Sequence, residues 1–152
     1  MLRKILLFVI LLFPWFLSTI VPVDYNYYDE IILPFFAPPS MFYGIAWTIV
    51  YVLVTVCIMS ILHSYKFTEL PFSFKVSLII NYLFNQSYTL IFFGLKNNFL
   101  GFVSCVGTLI SLLFFISEVI ILKKNCVKYL IPYLLLSVFA VILSFSIYII
   151  NL

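Results

Sequence analysis

The sequence predicts an all-α integral membrane protein built as a bundle of five transmembrane helices. Hydrophobic residues make up 66% of its 152 residues, charged residues only 9%, and the mean hydropathy is +1.27. A water-soluble core cannot bury such an apolar excess, so the bilayer is the expected solvent. The apolar residues also form five continuous runs of about 20 residues, the length that crosses a membrane as a helix. We expect one domain, residues 1–152, with spans over residues 5–21, 40–62, 76–95, 99–122 and 129–150.

The first predicted span follows Arg3 and Lys4, so a cleaved signal peptide is an alternative interpretation of this run. No small-x-small cleavage site follows it, and its length is closer to a short span than to a secretory core. Pro14 lies in the middle of the run, where we expect it to kink the helix. We therefore favour a true membrane span.

The second predicted span begins behind Pro38 and Pro39, which fix the chain at a helix start. An aromatic stripe with a spacing of four residues follows on one helical face, formed by Tyr43, Trp47 and Tyr51. Buried Trp and Tyr side chains need a partner for their N–H or O–H groups, so they tend to point inward. This face should line the interior of the bundle.

The third span carries two amides and two aromatic side chains on one helical face, namely Asn81, Asn85, Tyr88 and Phe92. Polar groups inside a membrane usually face the bundle or a cavity. Two interpretations of this stripe remain open. The asparagines can hydrogen-bond across helices as packing contacts, or they can line a pocket for a flat ligand with polar edges.

The last two spans present smaller side chains. Ser104, Thr108 and Ser111 share a face of the fourth span, which favours helix packing. The fifth span has a smooth face that permits either close helix contact or room for a ligand, with Tyr133, Leu136, Ala140 and Ser144 on it. Glu118 is the only carboxylate within a span, and we expect it to pair with Lys123 or Lys124 rather than to relay protons.

Basic residues lie almost entirely in the loops on one side of the predicted bundle. With a cytoplasmic N-terminus, seven of the eight Lys and Arg residues are cytoplasmic and only Lys96 is outside. The sequence therefore predicts an external C-terminus, and a bacterial inner membrane is favoured because no transit peptide is visible. The net charge of +3 reflects this topology, and no basic patch indicates a nucleic-acid partner.

No catalytic constellation is visible in the sequence. It contains no Ser/His/Asp set, no paired carboxylates at a common depth, no Gly-rich phosphate loop and no spacing typical of metal ligands. Cys57, Cys105 and Cys126 lie in or beside spans, where we interpret them as small packing residues. We expect no metal site and no required cofactor.

Three separated segments carry a more specific signal. YYDEIILPFFAPPSMFYGIAWTIVY begins at Tyr27, NQSYTLIFFG begins at Asn85, and PYLLLSVFA begins at Pro132. In this order they resemble the motifs of the TspO/MBR family, which includes bacterial tryptophan-rich sensory proteins and the mitochondrial translocator protein, or peripheral-type benzodiazepine receptor. The chain resembles a divergent, tryptophan-poor member, because Tyr88 and Leu136 stand where the family often has Trp.

The resemblance implies a five-helix protein, often a homodimer, that binds porphyrins such as protoporphyrin IX and other hydrophobic ligands between its helices, under the first loop. It implies no required cofactor, with the porphyrin as ligand and the lipid bilayer as surroundings. By motif position and by the stripes above, the candidate ligand-binding residues are Tyr28, Pro38, Pro39, Trp47, Tyr51, Asn81, Asn85, Tyr88, Phe92, Leu136 and Ala140.

Three functional classes fit these features. A receptor or transporter for tetrapyrroles is favoured, and a membrane scaffold with an incidental cavity is an alternative. A light-dependent porphyrin-degrading enzyme is the third, and the family resemblance links that activity to tryptophans at the positions of Trp47 and Leu136. Because an indole can be oxidised or relay an electron and leucine cannot, we expect binding with poor degradation.

Overall fold

The computed structural model describes residues 2–152 and, within that range, contains five helices long and apolar enough to cross a membrane. They are Leu2–Ile20, Ser40–Ser64, Phe72–Gly94, Asn98–Tyr129 and Ile131–Ile150. The predicted five-helix membrane fold is confirmed, and most predicted ends lie within a few residues of the observed ones. The largest difference is at the end of the fourth span, which a 3₁₀ segment continues from Lys124 to Tyr129. The third span also begins earlier than predicted, at Phe72, directly after Pro71.

We number six α-helices along the chain: α1 Leu2–Leu12, α2 Tyr27–Glu30, α3 Ser40–Ser64, α4 Phe72–Thr89, α5 Asn98–Lys123 and α6 Ile131–Ile150. Short 3₁₀ segments extend α1 over Phe13–Ile20 and α5 over Lys124–Tyr129, and a third lies at Phe67–Glu69. A single π-helical turn, Leu90–Gly94, extends α4. The short α2 lies in the segment between the first two spans, residues 21–39, which we call the first loop.

The first span changes from α-helix to 3₁₀-helix at Phe13, next to the predicted kink at Pro14. Side chains of α4 bind the backbone freed by this change: the Tyr82 hydroxyl donates to the Pro14 carbonyl at 2.9 Å. Gln86 donates to the Trp15 carbonyl at 3.1 Å and accepts from the Ser18 amide at 3.0 Å. An interrupted helix is tolerated in a membrane when neighbouring groups satisfy its backbone in this way.

Helices α4 and α5 pack closely through the small residues of α5. The Ser104 hydroxyl donates to the Phe84 carbonyl at 2.9 Å. At Gly107 an added Cβ would overlap the Phe84 ring, so only glycine allows this approach. Ser104 and Ser111 contact α4, as predicted for this face, whereas Thr108 also lines a cavity between the helices.

Glu118 does not pair with either lysine, so that expectation was wrong. Its carboxylate accepts a hydrogen bond from the Ser73 hydroxyl of α4 at 2.9 Å. The Lys123 ammonium instead donates to Ser60 and Ser64 of α3, both at 2.8 Å. Residues five positions apart on a helix point about 140° away from each other, so Glu118 and Lys123 face different neighbours.

The bundle contains two clusters of buried apolar residues. The larger one joins the middle of the bundle to the end that carries most of the lysines, and includes Ile61, Phe74, Leu112, Phe115 and Val119. The smaller one lies beneath the first loop and consists of Tyr28, Phe92, Leu143 and Ile147. Between the two clusters the helices separate, and the main cavity opens there.

Candidate ligand-binding cavity

A cavity of about 600 Å³ lies between the helices beneath the first loop. Most of its aromatic wall comes from the first three spans and the loop, namely Phe16, Tyr25, Tyr28, Tyr43, Trp47, Tyr51, Tyr88 and Phe93. Neutral hydroxyl and amide groups supply most of the polar surface. Asp29 is the only charged residue among the lining side chains that the structure describes. The cavity is therefore aromatic and, apart from Asp29, lined by uncharged groups that are polar at specific points.

The aromatic stripe of α3 forms one wall. The Trp47 and Tyr51 rings are 5.8 Å apart between centroids and inclined by 32°. Behind them, Trp15 stacks on Tyr51 at 5.4 Å and 26°. Trp47 also meets the edge of Tyr133, at 5.8 Å and 78°. These contacts hold Trp47 and Tyr51 in place with their surfaces facing the cavity.

Asn85 and Asn81 lie one turn apart on α4 but differ in their partners. The Asn85 side-chain oxygen accepts from the Tyr51 hydroxyl at 2.9 Å and from Gln86 at 3.0 Å. Its amide nitrogen has no hydrogen-bond partner among residues 2–152, and Asn85 lines the cavity. An amide with one free end at a cavity wall is available to a ligand.

Asn81, by contrast, is fully used by protein groups. Its amide nitrogen donates to the Thr108 carbonyl at 3.0 Å and to the Ser111 hydroxyl at 3.1 Å. Its oxygen accepts from the Tyr133 hydroxyl at 3.0 Å. Asn81 is completely buried and lies outside the cavity lining. Of the two interpretations of the stripe, packing applies to Asn81 and cavity lining to Asn85.

The π-helical turn changes which phenylalanine faces the cavity. Tyr88 lines the cavity, but Phe92 lies behind it, with the two ring planes 9° apart and the centroids at 5.2 Å. Phe93 takes the lining position instead. In this turn the Leu95 amide bonds to the Leu90 carbonyl, five residues back, so the helix gains a residue and the regular stripe shifts by one position.

In the fifth span Ala140 lines the cavity and Leu136 does not; Leu136 packs against the larger buried cluster. Ser137 lines the cavity beside Ala140, and the residue is 1% exposed. That hydroxyl has no hydrogen-bond partner within residues 2–152. Nearby, the Ser144 hydroxyl lies 3.2 Å from the Cys105 sulfur. The α6 face therefore gives the cavity neutral polar groups.

The first loop covers the cavity through α2. The Tyr28 hydroxyl donates to the Pro38 carbonyl at 3.0 Å and lies 3.0 Å from the Tyr43 hydroxyl. Burial raises the pKa of Tyr28 above its ordinary value, so the phenol stays neutral at physiological pH. Pro38 and Pro39 do not line the cavity; they lead into α3, and Pro38 holds Tyr28. Their contribution is to position the loop.

Lys96, after the π turn, anchors the same loop from the other side. Its ammonium lies 2.7 Å from Asp24 and 3.5 Å from Glu30, and 5.3 Å from the centre of the Tyr27 ring. The hydrogen bond with Lys96 lowers the pKa of Asp24, and the same bond raises the pKa of Lys96. The loop is thus fastened by one cation that bridges two acidic residues.

Several lining residues could not be identified from sequence periodicity. Phe16, Ser18 and Thr19 face the cavity because the 3₁₀ segment rotates this part of the first span, and Pro14 was the only signal for it. Thr108 was assigned to a helix-packing face, and Ser137 lies on none of the predicted stripes, yet both line the cavity. Within residues 2–152 no group of three or more His, Cys, Asp and Glu residues is placed to hold a metal ion.

Together, the five apolar helices and the cavity between them define an integral membrane protein with a ligand-sized internal cavity. The model of the TspO/MBR family matches residues 5–149, and the chain belongs to that family. It is 36% identical to the tryptophan-rich protein TspO of Bacillus cereus over 134 residues, covering 88% of this chain and 86% of that protein. The suspected family is confirmed.

Two more distant relatives match the chain over a similar length. An uncharacterised Bacillus subtilis membrane protein, YtaB, is 32% identical over 134 residues, covering 86% of this chain and 84% of that protein. The tryptophan-rich protein TspO of Archaeoglobus fulgidus is 29% identical over 128 residues, covering 83% of this chain and 80% of that protein. The likeness extends over the whole bundle rather than over one helix pair.

Proposed function

We propose that this protein is a receptor or transporter that binds a flat, largely hydrophobic ligand of the porphyrin class in the cavity beneath the first loop. The observation that carries the proposal is the combination of an aromatic wall with neutral polar groups in one cavity of about 600 Å³. That volume lies within the range of roughly 300–1,000 Å³ that is typical of small-molecule sites. The arrangement suits a macrocycle that has two flat faces and a polar edge.

Each part of the wall has a role toward such a ligand. Trp47 and Tyr51, braced by Trp15, offer ring faces for stacking. The free amide nitrogen of Asn85 offers a hydrogen bond to ring nitrogens or edge substituents. No lining residue that the structure describes is cationic, so the carboxylates of a porphyrin would remain toward water at the open side.

A titration with protoporphyrin IX tests the proposal directly. The detergent-solubilised protein is titrated while the porphyrin absorbance band and the tryptophan fluorescence are followed. We expect saturable binding that weakens roughly tenfold in Asn85→Ala, because a hydrogen bond at a buried wall is lost. Trp47→Phe should weaken binding by roughly fivefold, because the phenyl ring offers a smaller stacking face.

Asn81→Ala is the matched control, since it removes the same amide one turn away and outside the cavity. It should lower thermal stability and leave porphyrin affinity unchanged. Non-saturable binding, or equal affinity of the wild type and both cavity variants, would contradict the proposal. Such a result would favour a scaffold with an incidental cavity.

We also propose that the protein lies in the bacterial cell membrane with its N-terminus in the cytoplasm and its C-terminus outside. The distribution of basic residues supports the orientation. Of the eight Lys and Arg residues, only Lys96 lies on the side of the first loop, where Asp24 and Glu30 bind it. Fusion of alkaline phosphatase after Leu152 tests this orientation, because that enzyme is active only outside the cytoplasm. An inactive phosphatase fusion together with a fluorescent cytoplasmic reporter would contradict the orientation.

A further inference from the structure

A second, smaller cavity lies on the outer surface of the bundle, between α4 and α5. It measures about 240 Å³ and is separate from the chamber under the first loop. Its walls include Val76, Ile80 and Phe114, of which Ile80 is 42% and Phe114 65% exposed. Because these residues belong to membrane spans, the exposed sides face lipid. We call this cavity the α4–α5 groove.

Glu118 lines the groove and has no cationic partner among residues 2–152. The Ser73 hydroxyl, at 2.9 Å, is its one hydrogen-bond donor in this part of the chain. Lys123, the basic residue that follows it on α5, is held by α3. A carboxylate beside lipid that lacks a positive partner is costly, and a bound cation would offset that cost.

The other polar groups of the groove are already used. The Ser77 hydroxyl donates to the Phe74 carbonyl at 3.0 Å. The Ser111 hydroxyl donates to the Gly107 carbonyl at 2.7 Å and accepts from Asn81 at 3.1 Å. The carboxylate is therefore the main group left to bind a ligand. A fitting ligand combines an N–H cation with an apolar body.

The position of the carboxylate along the bundle narrows the ligand further. Glu118 lies five residues before the end of α5, about 8 Å along the helix at ~1.5 Å per residue, and Ser73 is the second residue of α4. This depth is close to the boundary between headgroups and hydrocarbon. Ile80 and Phe114 lie deeper, so the groove runs from a charged end to an apolar end in the direction of a lipid molecule.

We propose that the α4–α5 groove binds an ethanolamine phospholipid, whose primary ammonium pairs with Glu118 while an acyl chain lies along Val76, Ile80 and Phe114. The argument does not depend on what the main cavity binds. A primary ammonium fits better than a choline group because it can donate hydrogen bonds to the carboxylate. An anionic headgroup would be repelled by Glu118.

Native mass spectrometry of the delipidated protein tests this site. Dioleoyl phosphatidylethanolamine, the matching phosphatidylcholine and the matching phosphatidylglycerol are added separately, and the bound fraction is measured against lipid concentration. We expect tightest retention of phosphatidylethanolamine and about tenfold weaker retention in Glu118→Gln, because a hydrogen bond to a charged group is lost. Equal retention of phosphatidylethanolamine and phosphatidylglycerol by the wild type would overturn the proposal.

Glu69→Gln is the matched control, since it removes one negative charge at the same end of the bundle, on an exposed residue next to Lys66. It should leave phosphatidylethanolamine retention unchanged. An equal effect of both variants would show a general charge effect and overturn the site. Ile80→Trp, which narrows the groove without altering the carboxylate, should also weaken retention, and it keeps the test valid if Glu118→Gln folds poorly.

A final experiment distinguishes a phospholipid ligand from a free amphiphilic amine. Dodecylamine carries the same ammonium group and an alkyl chain but no phosphate or glycerol. If dodecylamine binds in a Glu118-dependent manner and phosphatidylethanolamine does not, the groove is a site for free amphiphilic amines and the lipid proposal is wrong. Glu118-dependent binding of phosphatidylethanolamine supports it.

Discussion

Asn81 and Asn85 carry the same side chain one turn apart on α4 but have opposite roles, one in helix packing and the other in lining the cavity. At the level of Asn81 the helices are in close contact and every polar group of the amide is bound by protein. At the level of Asn85 the helices separate and the amide nitrogen is left free at a cavity wall. The role of a polar residue in a membrane helix is therefore decided by its neighbours.

The neighbouring side chains explain the difference between the levels. Between Asn81 and the lysine-rich end of the bundle, the interior is filled by large residues such as Phe74, Leu112 and Phe115, each at most 1% exposed. Around the cavity, small residues such as Gly44 and Ala140 occupy positions that face the interior. Large side chains close the space between helices, and small ones leave it open for a ligand.

The largest expected effects are on stability, and the first of them is its loss in Asn81→Ala. The substitution leaves the buried Tyr133 hydroxyl without its acceptor and removes two further hydrogen bonds. We expect the free energy of unfolding to fall by about 2 kcal/mol, since three hydrogen bonds between membrane helices are lost and each contributes roughly 0.6 kcal/mol. Thermal unfolding in detergent measures this. A larger loss in Asn85→Ala than in Asn81→Ala would contradict the assigned roles.

Two glycine substitutions compare the packed region with the cavity. Gly107→Ala forces its Cβ against the Phe84 ring, so we expect a loss of about 1–3 kcal/mol from overpacking. Gly44→Ala has no atom within 4 Å of the added Cβ and lines the cavity, so it should gain roughly 0.5–1 kcal/mol from helix propensity. Unfolding curves of both variants check the opposite signs. Equal changes would mean that the cavity is not open at Gly44.

Ser137→Ala should stabilise the unliganded protein, because it removes a buried hydroxyl that has no partner within residues 2–152. We expect a gain of about 1 kcal/mol and an unchanged porphyrin affinity, because the hydroxyl oxygen is not accessible from the cavity. Ser144→Ala is the control, because its hydroxyl already contacts Cys105 and its loss should not stabilise. Unfolding with and without protoporphyrin IX measures both quantities. Destabilisation by Ser137→Ala alone would show that the hydroxyl is bound in the free protein.

Lys96, which holds the first loop through Asp24 and Glu30, should affect the rate of ligand release more than the ligand affinity. Lys96→Met removes the cation that holds Asp24 and Glu30, so we expect porphyrin dissociation to become a few-fold faster in a displacement experiment. Lys66→Met, which removes an exposed cation at the other end of the bundle, is the control. An unchanged dissociation rate in Lys96→Met would mean that the loop does not limit release.

The same anchor predicts a pH dependence. Because pairing lowers the pKa of Asp24, its contribution is complete above the ordinary carboxyl pKa of about 4 and is lost as the pH falls through the lowered value. Because the pKa of Lys96 is raised, its contribution is lost only as the pH rises through that higher value. Ligand release should therefore stay constant near neutral pH and accelerate in acid, and this acceleration should be absent in Asp24→Asn.

The smallest expected effect is light-dependent porphyrin loss. Trp47 is the only tryptophan that lines the cavity, and Leu136 faces the larger buried cluster. We expect illumination of the protein with protoporphyrin IX to change the porphyrin absorbance slowly, and Trp47→Phe to make little difference. Fast, Trp47-dependent loss would show an enzymatic activity that the present proposal does not include.

The sequence predicted the five spans because hydropathy and length determine which segments cross a membrane. It also predicted inward-facing aromatic and amide stripes, because regular helical spacing places Trp47, Tyr51 and Asn85 on interior faces. It failed where the helix is irregular. The π turn replaced Phe92 with Phe93 at the cavity, and the 3₁₀ segment after Pro14 brought Phe16 to the wall. Neither irregularity has a periodic signal.

The hydrogen-bond partners of Glu118 and Asn81 could not be predicted from the sequence either. A helix face can be derived from spacing, but which neighbouring helix supplies the matching group depends on how the helices pack. Glu118 was expected to pair along its own helix and instead bonds to Ser73 of α4. The choice between packing and lining at Asn81 likewise required Thr108, Ser111 and Tyr133 to be placed around it.

The attachment of the first span to Gln86 has a consequence for biosynthesis. The 3₁₀ wall of the cavity is made early in translation, but the Gln86 side chain that binds its Trp15 carbonyl and Ser18 amide is made only near the end of α4. Until α4 enters the membrane, these backbone groups lack their final partners. The first span should therefore remain mobile beside the translocon, and the chamber should close only after the third span has been inserted.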